Sequence, residues 1–455
     1  MRGMNQLITR ISLLAALTAG LTGAAFAKAA AEPLQVDAAL DRPVISADKD
    51  ESVVVQIKIR PDEIQSDHDR PPVNLSLVLD RSGSMQGDKI RQAIEAAQVA
   101  VGKLGPRDIV SVITYSDSAS TLADSQYATR SNIKRIQSAL SEVSANGSTA
   151  IYDGLNRGAA ELRRRADEGY INRIVLLSDG LANRGPSGVS DFRDLARAFA
   201  GEDIVVSTVG LGGGFNEDIM TALAEAGQGN TYFVENASDL PRIFGAELGD
   251  ALNVAATNIE IIITPREGVR IKRSLGREAE IKNNRAYFQM PQVYGGQDKL
   301  ALLEIDAPQG KDGQTRDLVD VEVRYVPVSG GEARSQSVSV PIAYAASEVK
   351  IKESARVDVA QNVIDNRIAE AKKVAVGYAD SGDLAKAATN LAITNDKIQQ
   401  DYDFLGQSFT SASAEYLNKE EDAMRNGEFG NRQRKAYVTE SYQKSNSQTV
   451  TNTQD

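Results

Sequence analysis

A short polar segment near residue 80 carries oxygen ligands at alternate positions, directly after the apolar run Leu75–Leu79. Its residues Asp80, Ser82 and Ser84 offer one carboxylate and two hydroxyl groups. This set suits a hard divalent cation such as Mg²⁺, which prefers oxygen ligands and keeps several waters. By itself the pattern is weak, because a long chain offers chance matches to so short a motif.

Two other segments supply further ligands of the same kind. Thr149 precedes a predicted helix that begins at Ile151, and Asp179 follows the apolar run Ile174–Leu177. In open α/β sheets, ligands bind beyond the carboxyl ends of strands, where the strand order reverses. Asp80, Thr149 and Asp179 are therefore expected to meet at one sheet edge. The alternative is that these acids and hydroxyls are helix caps or loop residues.

Strands and helices alternate from residue 73 to about residue 250. Short, almost continuous apolar runs predict buried strands, and stretches with a 3.6-residue period, such as Ile90–Leu104, predict helices between them. The predicted strands include Leu75–Leu79, Ile109–Tyr115, Ile174–Leu177, Ile204–Val209 and Thr231–Val234. This pattern predicts a parallel sheet covered by helices on both faces. Asp117, at another strand end, either supports the site or belongs to a solvated loop.

The pattern changes at residue 256, where β-branched runs separated by Gly, Asn, Pro and Asp predict an antiparallel β-sandwich. Strands at 34–60 have the same character, so we expect them to join it. The fold class is therefore an α/β domain inserted in, or joined to, an antiparallel β-sandwich. From residue 350 a helical period, interrupted at Ser381-Gly382-Asp383, predicts an αα-hairpin.

The N-terminus has the pattern of a signal peptide. Arg2 and Arg10 precede or border an apolar segment, and Ala25-Phe26-Ala27 is a small-x-small cleavage site. We expect cleavage after Ala27 and a periplasmic or secreted protein, with an uncleaved anchor as the alternative. No later segment approaches the ~18 apolar residues of a spanning helix. The predicted divisions are a signal peptide at 1–27, β strands at 28–72, the α/β domain at 73–252, the sandwich at 253–347, helices at 348–442 and a disordered tail at 443–455.

Composition excludes several kinds of chemistry. The 455-residue chain has no Cys and one His, which rules out disulfides, thiol nucleophiles and HExxH zinc helices. A net charge of −11 disfavours nucleic acid as a partner. There is no Walker loop and no G-x-S-x-G motif. We therefore expect a binding protein, not an enzyme.

Three motifs together resemble the von Willebrand factor type A (VWA) family. They are the segment from Arg70-Pro71-Pro72-Val73 into the Asp80 motif, Gly147–Ile151, and Leu177–Gly180. The likeness covers residues 73 to about 250, and the wider arrangement looks like bacterial exported proteins related to the chloride-channel-regulator and inter-α-trypsin-inhibitor heavy-chain lineages.

The resemblance implies a Rossmann-like fold with a metal-ion-dependent adhesion site (MIDAS) for Mg²⁺, or alternatively Mn²⁺ or Ca²⁺. It implies that Ser82, Ser84 and Thr149 give direct or near-direct oxygens, while Asp80 and Asp179 act directly or through water. An Asp or Glu carboxylate of a protein partner is then expected to complete the coordination. The alternatives are an envelope structural or assembly role through the β-sandwich and helices, and, less favoured, a metal-dependent hydrolase.

Overall fold

The computed structural model describes residues 33–63, 70–165, 169–328 and 330–448. The predicted signal peptide at 1–27 lies outside these residues. The described chain begins with three strands, β1 (Leu34–Leu40), β2 (Val44–Ser46) and β3 (Glu51–Pro61). The β-branched residues of β3 are buried, which agrees with the strand predicted from their alternation.

The α/β unit, residues 73–252, alternates strands and helices. Its elements are β4 (Val73–Asp80), α1 (Asp88–Gly102), β5 (Ile109–Tyr115), β6 (Ala119–Tyr127), α2 (Arg130–Ser141), α3 (Ile151–Arg163), β7 (Ile171–Ser178), α4 (Val189–Ala200), β8 (Ile204–Leu211), α5 (Glu217–Ala226), β9 (Gln228–Val234) and α6 (Leu240–Leu252). The strand order is β6-β5-β4-β7-β8-β9, and helices form an apolar core on each face. Helices on both faces of the sheet agree with the sequence pattern, and the whole is the Rossmann-like α/β fold that the family resemblance implies.

The edge strand β6 departs from the prediction of a purely parallel sheet. It pairs antiparallel with β5, its neighbour in the chain. Its residues carry little sign of a strand, because Ala119–Tyr127 reads ASTLADSQY, a mostly small and polar segment. The central strands are buried on both faces and therefore consist of continuous apolar residues. An edge strand is partly exposed to solvent, so its sequence need not contain such a run.

A two-sheet unit is formed by residues 34–61 and 254–345. Its later strands are β10 (Val254–Pro265), β11 (Arg270–Leu275), β12 (Glu280–Lys282), β13 (Arg285–Tyr294), β14 (Lys299–Ala307), β15 (Thr315–Pro327) and β16 (Arg334–Ala345). One sheet has the order β1-β3-β14-β11 and the other β12-β13-β10-β15-β16-β2. Both sheets contribute to one apolar core, with Val55 and Ile57 from the first and Ile261 and Phe288 from the second.

The α/β unit is inserted in this two-sheet unit. Strand β3 pairs with β14, with Val55 opposite Leu303, and β2 pairs with β16, with Ile45 opposite Tyr344. Strands on either side of the α/β unit in the chain thus share sheets, as the strand character of residues 34–60 led us to expect. Both ends of the α/β unit are consequently anchored in the same β structure.

The C-terminal region consists of helices α7 (Glu348–Ser354), α8 (Val357–Asp380), α9 (Leu384–Tyr402), α10 (Gln407–Arg425) and α11 (Asn431–Ser445). The interruption predicted at residues 381–383 separates α8 from α9, and the Asp383 side chain caps α9 by accepting from Lys386 N. Helix α8 packs through Val359 and Val363 on the sheet residues Val54 and Leu302. No helix of the described segments combines the length and apolar character needed to cross a membrane.

The prediction of disorder from residue 443 is wrong for residues 443–448. Gln443 Nε2 donates to Thr231 O at 2.9 Å, and Gln448 Oε1 accepts from Thr231 N at 3.1 Å. Thr231 lies on β9, the edge strand of the α/β sheet, so these amides satisfy backbone groups that no neighbouring strand pairs. Polar composition alone does not distinguish such side chains from a solvated tail. Residues 449–455 lie outside the described residues.

Candidate metal centre at the strand ends

Two acidic residues lie side by side because of the strand order. Strands β4 and β7 are parallel neighbours, with Leu79 opposite Leu177, and Asp80 and Asp179 stand at or just beyond their carboxyl ends. Strand β4 lies between β5 and β7, so the chain reverses direction across the sheet at this point. Such a switch point leaves a crevice in which open α/β sheets place their ligands.

The loop after β4 is fixed by its own acid and by a second loop. Asp80 Oδ1 accepts from Ser82 N at 2.8 Å, which turns the chain sharply after the strand. Gly83 N then donates to Gly147 O at 2.9 Å. The loops after β4 and before α3 are therefore held together, and Ser82 and Thr149 are brought to the same edge of the sheet.

Hydroxyl groups connect the two strand ends. Ser82 Oγ and Ser84 Oγ are 3.0 Å apart, and Ser84 Oγ donates to Asp179 Oδ1 at 2.6 Å. A Cβ atom added at Gly180 would lie 3.3 Å from Ser84 Oγ and 3.5 Å from Thr149 Oγ1. Glycine at 180 thus leaves room between these two hydroxyls. All five residues singled out in the sequence lie around this point.

Thr149 is positioned by a residue that the sequence did not reveal. Its backbone N–H donates to Asn183 Oδ1 at 2.7 Å, and Asn183 N donates to Thr149 O at 3.2 Å. Asp117 acts on the same loop, since its Oδ1 accepts from Ser148 N at 3.1 Å and lies 3.7 Å from Arg184. Of the two roles considered for Asp117, the structure shows loop support from an exposed position.

Asp80 is completely buried, and both of its oxygens accept from uncharged groups. Oδ1 is bonded to Ser82 N, and Oδ2 accepts from Ser178 Oγ at 2.9 Å. Burial raises the pKa of Asp80, and the neighbouring Asp179 carboxylate raises it further. A divalent cation held by Asp80 and Asp179 would offset this unfavourable charge.

Lys89, in the first turn of α1, also reaches the site. Its Nζ donates to Asp179 Oδ2 at 2.6 Å. Sequence reasoning missed Lys89 and Ser178. The position of Lys89, five residues beyond Ser84 at the start of a predicted helix, was the available signal, since a helix's first turn faces the loop that precedes it.

The donor chemistry fits a hard divalent cation. Two carboxylates and three hydroxyls converge, and the exposed Ser84 opens the site to solvent. The residues described by the structure contain no cluster of three or more His, Cys, Asp or Glu that could hold a metal. A cation held here would therefore take oxygens from the hydroxyls as well as from the two carboxylates, and oxygen-only coordination favours Mg²⁺, Mn²⁺ or Ca²⁺ over Zn²⁺.

Comparisons with known proteins agree with this architecture. Residues 74–246 match the family model of the von Willebrand factor type A domain. The solved structure named von Willebrand factor type A from Catenulispora acidiphila superimposes with a TM-score of 0.64 at 16% identity, covering 85% of this chain and 89% of that one. At this identity the likeness shows the fold alone.

Two proteins are similar to this chain in sequence. An uncharacterized protein of Synechocystis is 27% identical over 349 residues, 74% of this chain and 81% of that protein, so its likeness extends beyond residues 74–246. Human inter-alpha-trypsin inhibitor heavy chain H3 is 26% identical over 196 residues, 42% of this chain. That match spans only 22% of the human protein.

Proposed function

Residues 74–246 form a von Willebrand factor type A domain, and from this premise we propose that the chain is an exported protein that binds a protein partner through a divalent-cation site. The observation that carries the proposal is the convergence of Ser82, Ser84, Thr149, Asp80 and Asp179 at the switch point of the sheet. The proposed cellular location, periplasmic or secreted, rests on the pattern of residues 1–27.

The chemistry of the site supports recognition of an acidic group. A bound Mg²⁺ or Mn²⁺ would supply a positive charge with a coordination position left for an external oxygen. Asp80 and Asp179 offset the charge of a divalent ion, and the three hydroxyls add none. A partner's Asp or Glu carboxylate is the ligand that such a site favours, and Ser84 lies on its exposed side.

The test is capture of partners from an envelope extract of the source cells. We expect the immobilised wild-type protein to retain a defined set of proteins in 5–10 mM Mg²⁺, an approximate working range for weak sites, and to release them in EDTA. The Asp80→Ala protein is expected to retain none of that set, because it loses one of the two carboxylates that hold the cation.

Asp124→Ala is the matched control, since Asp124 is an exposed acid of β6 in the same domain. It should retain the wild-type set in Mg²⁺. Retention of the same proteins by Asp80→Ala, still released by EDTA, would rule out this site as the binding site.

A structural or assembly role through the helices is the second candidate. Val374 and Tyr378 on α8 and Ile393 on α9 are large apolar side chains that remain exposed, and Ile393 is 62% exposed. Deleting residues 348–455 is a poor test, because α8 covers the sheet residues Val54 and Leu302. Partners that are lost with Ile393→Ser but kept in EDTA would favour this role.

We also propose that the site binds and does not catalyse. A lone cation site needs an adjacent base or nucleophile to act as an enzyme. The groups described around Asp80 and Asp179 include the serine and threonine hydroxyls, the buried Tyr115, whose OH donates to Leu177 O, and Lys89, whose ammonium is paired with Asp179. Metal-dependent hydrolysis of phosphate or carboxylate esters that disappears in Asp80→Ala would contradict this.

A further inference from the structure

Lys89 makes an ion pair with one of the two acids of the candidate metal centre. Its Nζ lies 2.6 Å from Asp179 Oδ2, while Ser84 Oγ lies 2.6 Å from Asp179 Oδ1. The Asp179 side chain is buried, whereas the Lys89 side chain is 36% exposed. Both oxygens of Asp179 are thus engaged by groups of the chain itself, one of them a full positive charge.

The charges at the centre mean that this ion pair affects cation binding. Asp80 and Asp179 carry two negative charges if both are ionised, and a divalent cation balances them without help. A cation held by Asp179 would share that carboxylate with the Lys89 ammonium, which lies 2.6 Å from Oδ2, and the two positive charges would repel each other. The lysine and the divalent cation therefore compete for the same carboxylate.

The lysine can leave without disturbing the fold. Lys89 extends from the first turn of α1, and its Cε and Nζ lie 3.8 Å from the position of a Cβ added at Gly212. Because Gly212 has no side chain, it does not hold the end of the lysine in place. A flexible four-carbon stem with an exposed portion can swing its ammonium into water at small cost. The Arg173 side chain, by contrast, is fully buried and cannot move its charge into water in this way.

We infer that Lys89 is a tethered cation that holds Asp179 when no metal is bound and competes with the divalent ion for that carboxylate, thereby setting the metal affinity of the site. The inference rests on the proposed function, since it requires that the five-residue centre binds a cation. Its consequence is a weaker apparent affinity for the divalent ion, because binding must displace the ammonium. The centre stays neutralised in part by Lys89 at low divalent-ion concentration and exchanges that ammonium for metal as the concentration rises.

The experiment is calorimetric titration of the full mature chain with Mn²⁺ and with Mg²⁺. Lys89→Met is expected to bind Mn²⁺ about tenfold more tightly than wild type, equivalent to about 1.4 kcal/mol. Lys89→Arg, which keeps the charge, should stay within about threefold of wild type. Lys134→Met removes the same charge from an exposed position on α2 and should also leave the affinity unchanged within that limit.

Thermal unfolding supplies a second measurement that a purely structural lysine would not reproduce. In EDTA, Lys89→Met should melt below wild type, because Asp179 is left buried without its cation. In saturating Mn²⁺ it should gain more in melting temperature than wild type gains. Competition predicts that Mn²⁺ raises the melting temperature of Lys89→Met more than that of wild type. Simple loss of a stabilising contact would instead lower the melting temperature of the variant equally in both buffers.

The outcomes are separable. Equal or weaker Mn²⁺ binding by Lys89→Met, with wild type still binding, overturns the role of Lys89 and leaves the metal centre standing. Binding by Lys89→Arg as tight as by Lys89→Met also overturns it, because charge is then not the cause. If wild type, Lys89→Met and Asp80→Ala all fail to bind Mn²⁺, the proposed function and this inference fall together.

Discussion

Replacing Glu247 by alanine is expected to lower the free energy of unfolding by about 3–5 kcal/mol, the usual cost of leaving one member of a buried ion pair unpaired. Arg173 on β7 and Glu247 on α6 are both buried, and Arg173 NH1 donates to Glu247 Oε1 at 2.8 Å. Glu247 Oε2 also accepts from Tyr232 OH and Asn230 Nδ2, each at 2.9 Å. Its removal leaves three buried donors without that acceptor.

The same network joins the VWA domain to the two-sheet unit. Arg173 NH2 donates to Gln292 Oε1 at 3.0 Å and contacts Tyr294 OH at 2.6 Å, both on β13. The loss in Glu247→Ala should therefore destabilise the junction as well as the domain. Urea unfolding followed by circular dichroism measures it, since the chain has no Trp for fluorescence.

Two variants test the cause. Arg163→Met breaks an exposed pair with Glu202 and should cost less than about 1 kcal/mol. The double replacement Arg173→Met with Glu247→Leu should recover part of the loss, because no charge then remains buried and unpaired. A Glu247→Ala protein as stable as Arg163→Met would show that Arg173 is compensated by another group.

Asp80→Asn is expected to weaken Mn²⁺ binding by about 100-fold or more, the upper range for loss of a group that holds or orients a metal ligand. The isosteric amide can still accept from Ser82 N, so the loop after β4 should keep its conformation. Wild type should gain thermal stability with rising Mn²⁺, by about 2.7 kcal/mol at a hundred times its dissociation constant. The variant should show no such gain.

In EDTA, without metal, Asp80→Asn should be more stable than wild type. Burial and the nearby Asp179 raise the pKa of Asp80 above its unfolded value. A raised folded-state pKa means that the stability contributed by the group is present below the unfolded pKa and is lost as the pH rises through the folded one. At pH 7 the buried charge therefore costs stability, and Asp80→Asn should melt above wild type in the absence of metal.

The same variant should flatten the pH dependence of metal-free stability on the acidic side of neutrality. Melting curves in EDTA across this range, for wild type and Asp80→Asn, measure the difference. If Asp80→Asn instead melts below wild type in EDTA at pH 7, the Asp80 charge is stabilised by its surroundings, and the case for a cation between the two carboxylates weakens.

The amino-acid sequence by itself determined the central elements and the five candidate ligands. Leu75–Leu79 and Ile174–Leu177 are almost continuous apolar runs, and such runs occur where a strand is buried on both faces. Asp80 follows the first run directly and Asp179 follows the second after Ser178, so their place at the carboxyl edge of the sheet follows from strand direction. The metal-binding role of these residues stays a prediction.

Only the tertiary structure decided which polar groups meet. Lys89 contacts Asp179, Ser178 contacts Asp80, and Arg173 pairs with Glu247 across long stretches of chain. The mostly small and polar segment of β6 likewise gained its structure by pairing with β5. Gln443 and Gln448 gained theirs by hydrogen bonding to Thr231 of the edge strand β9. The physical reason is that apolar burial leaves a periodic signal in the local sequence. The partner of a polar side chain is set by distance and direction in the folded chain, and no local pattern records it.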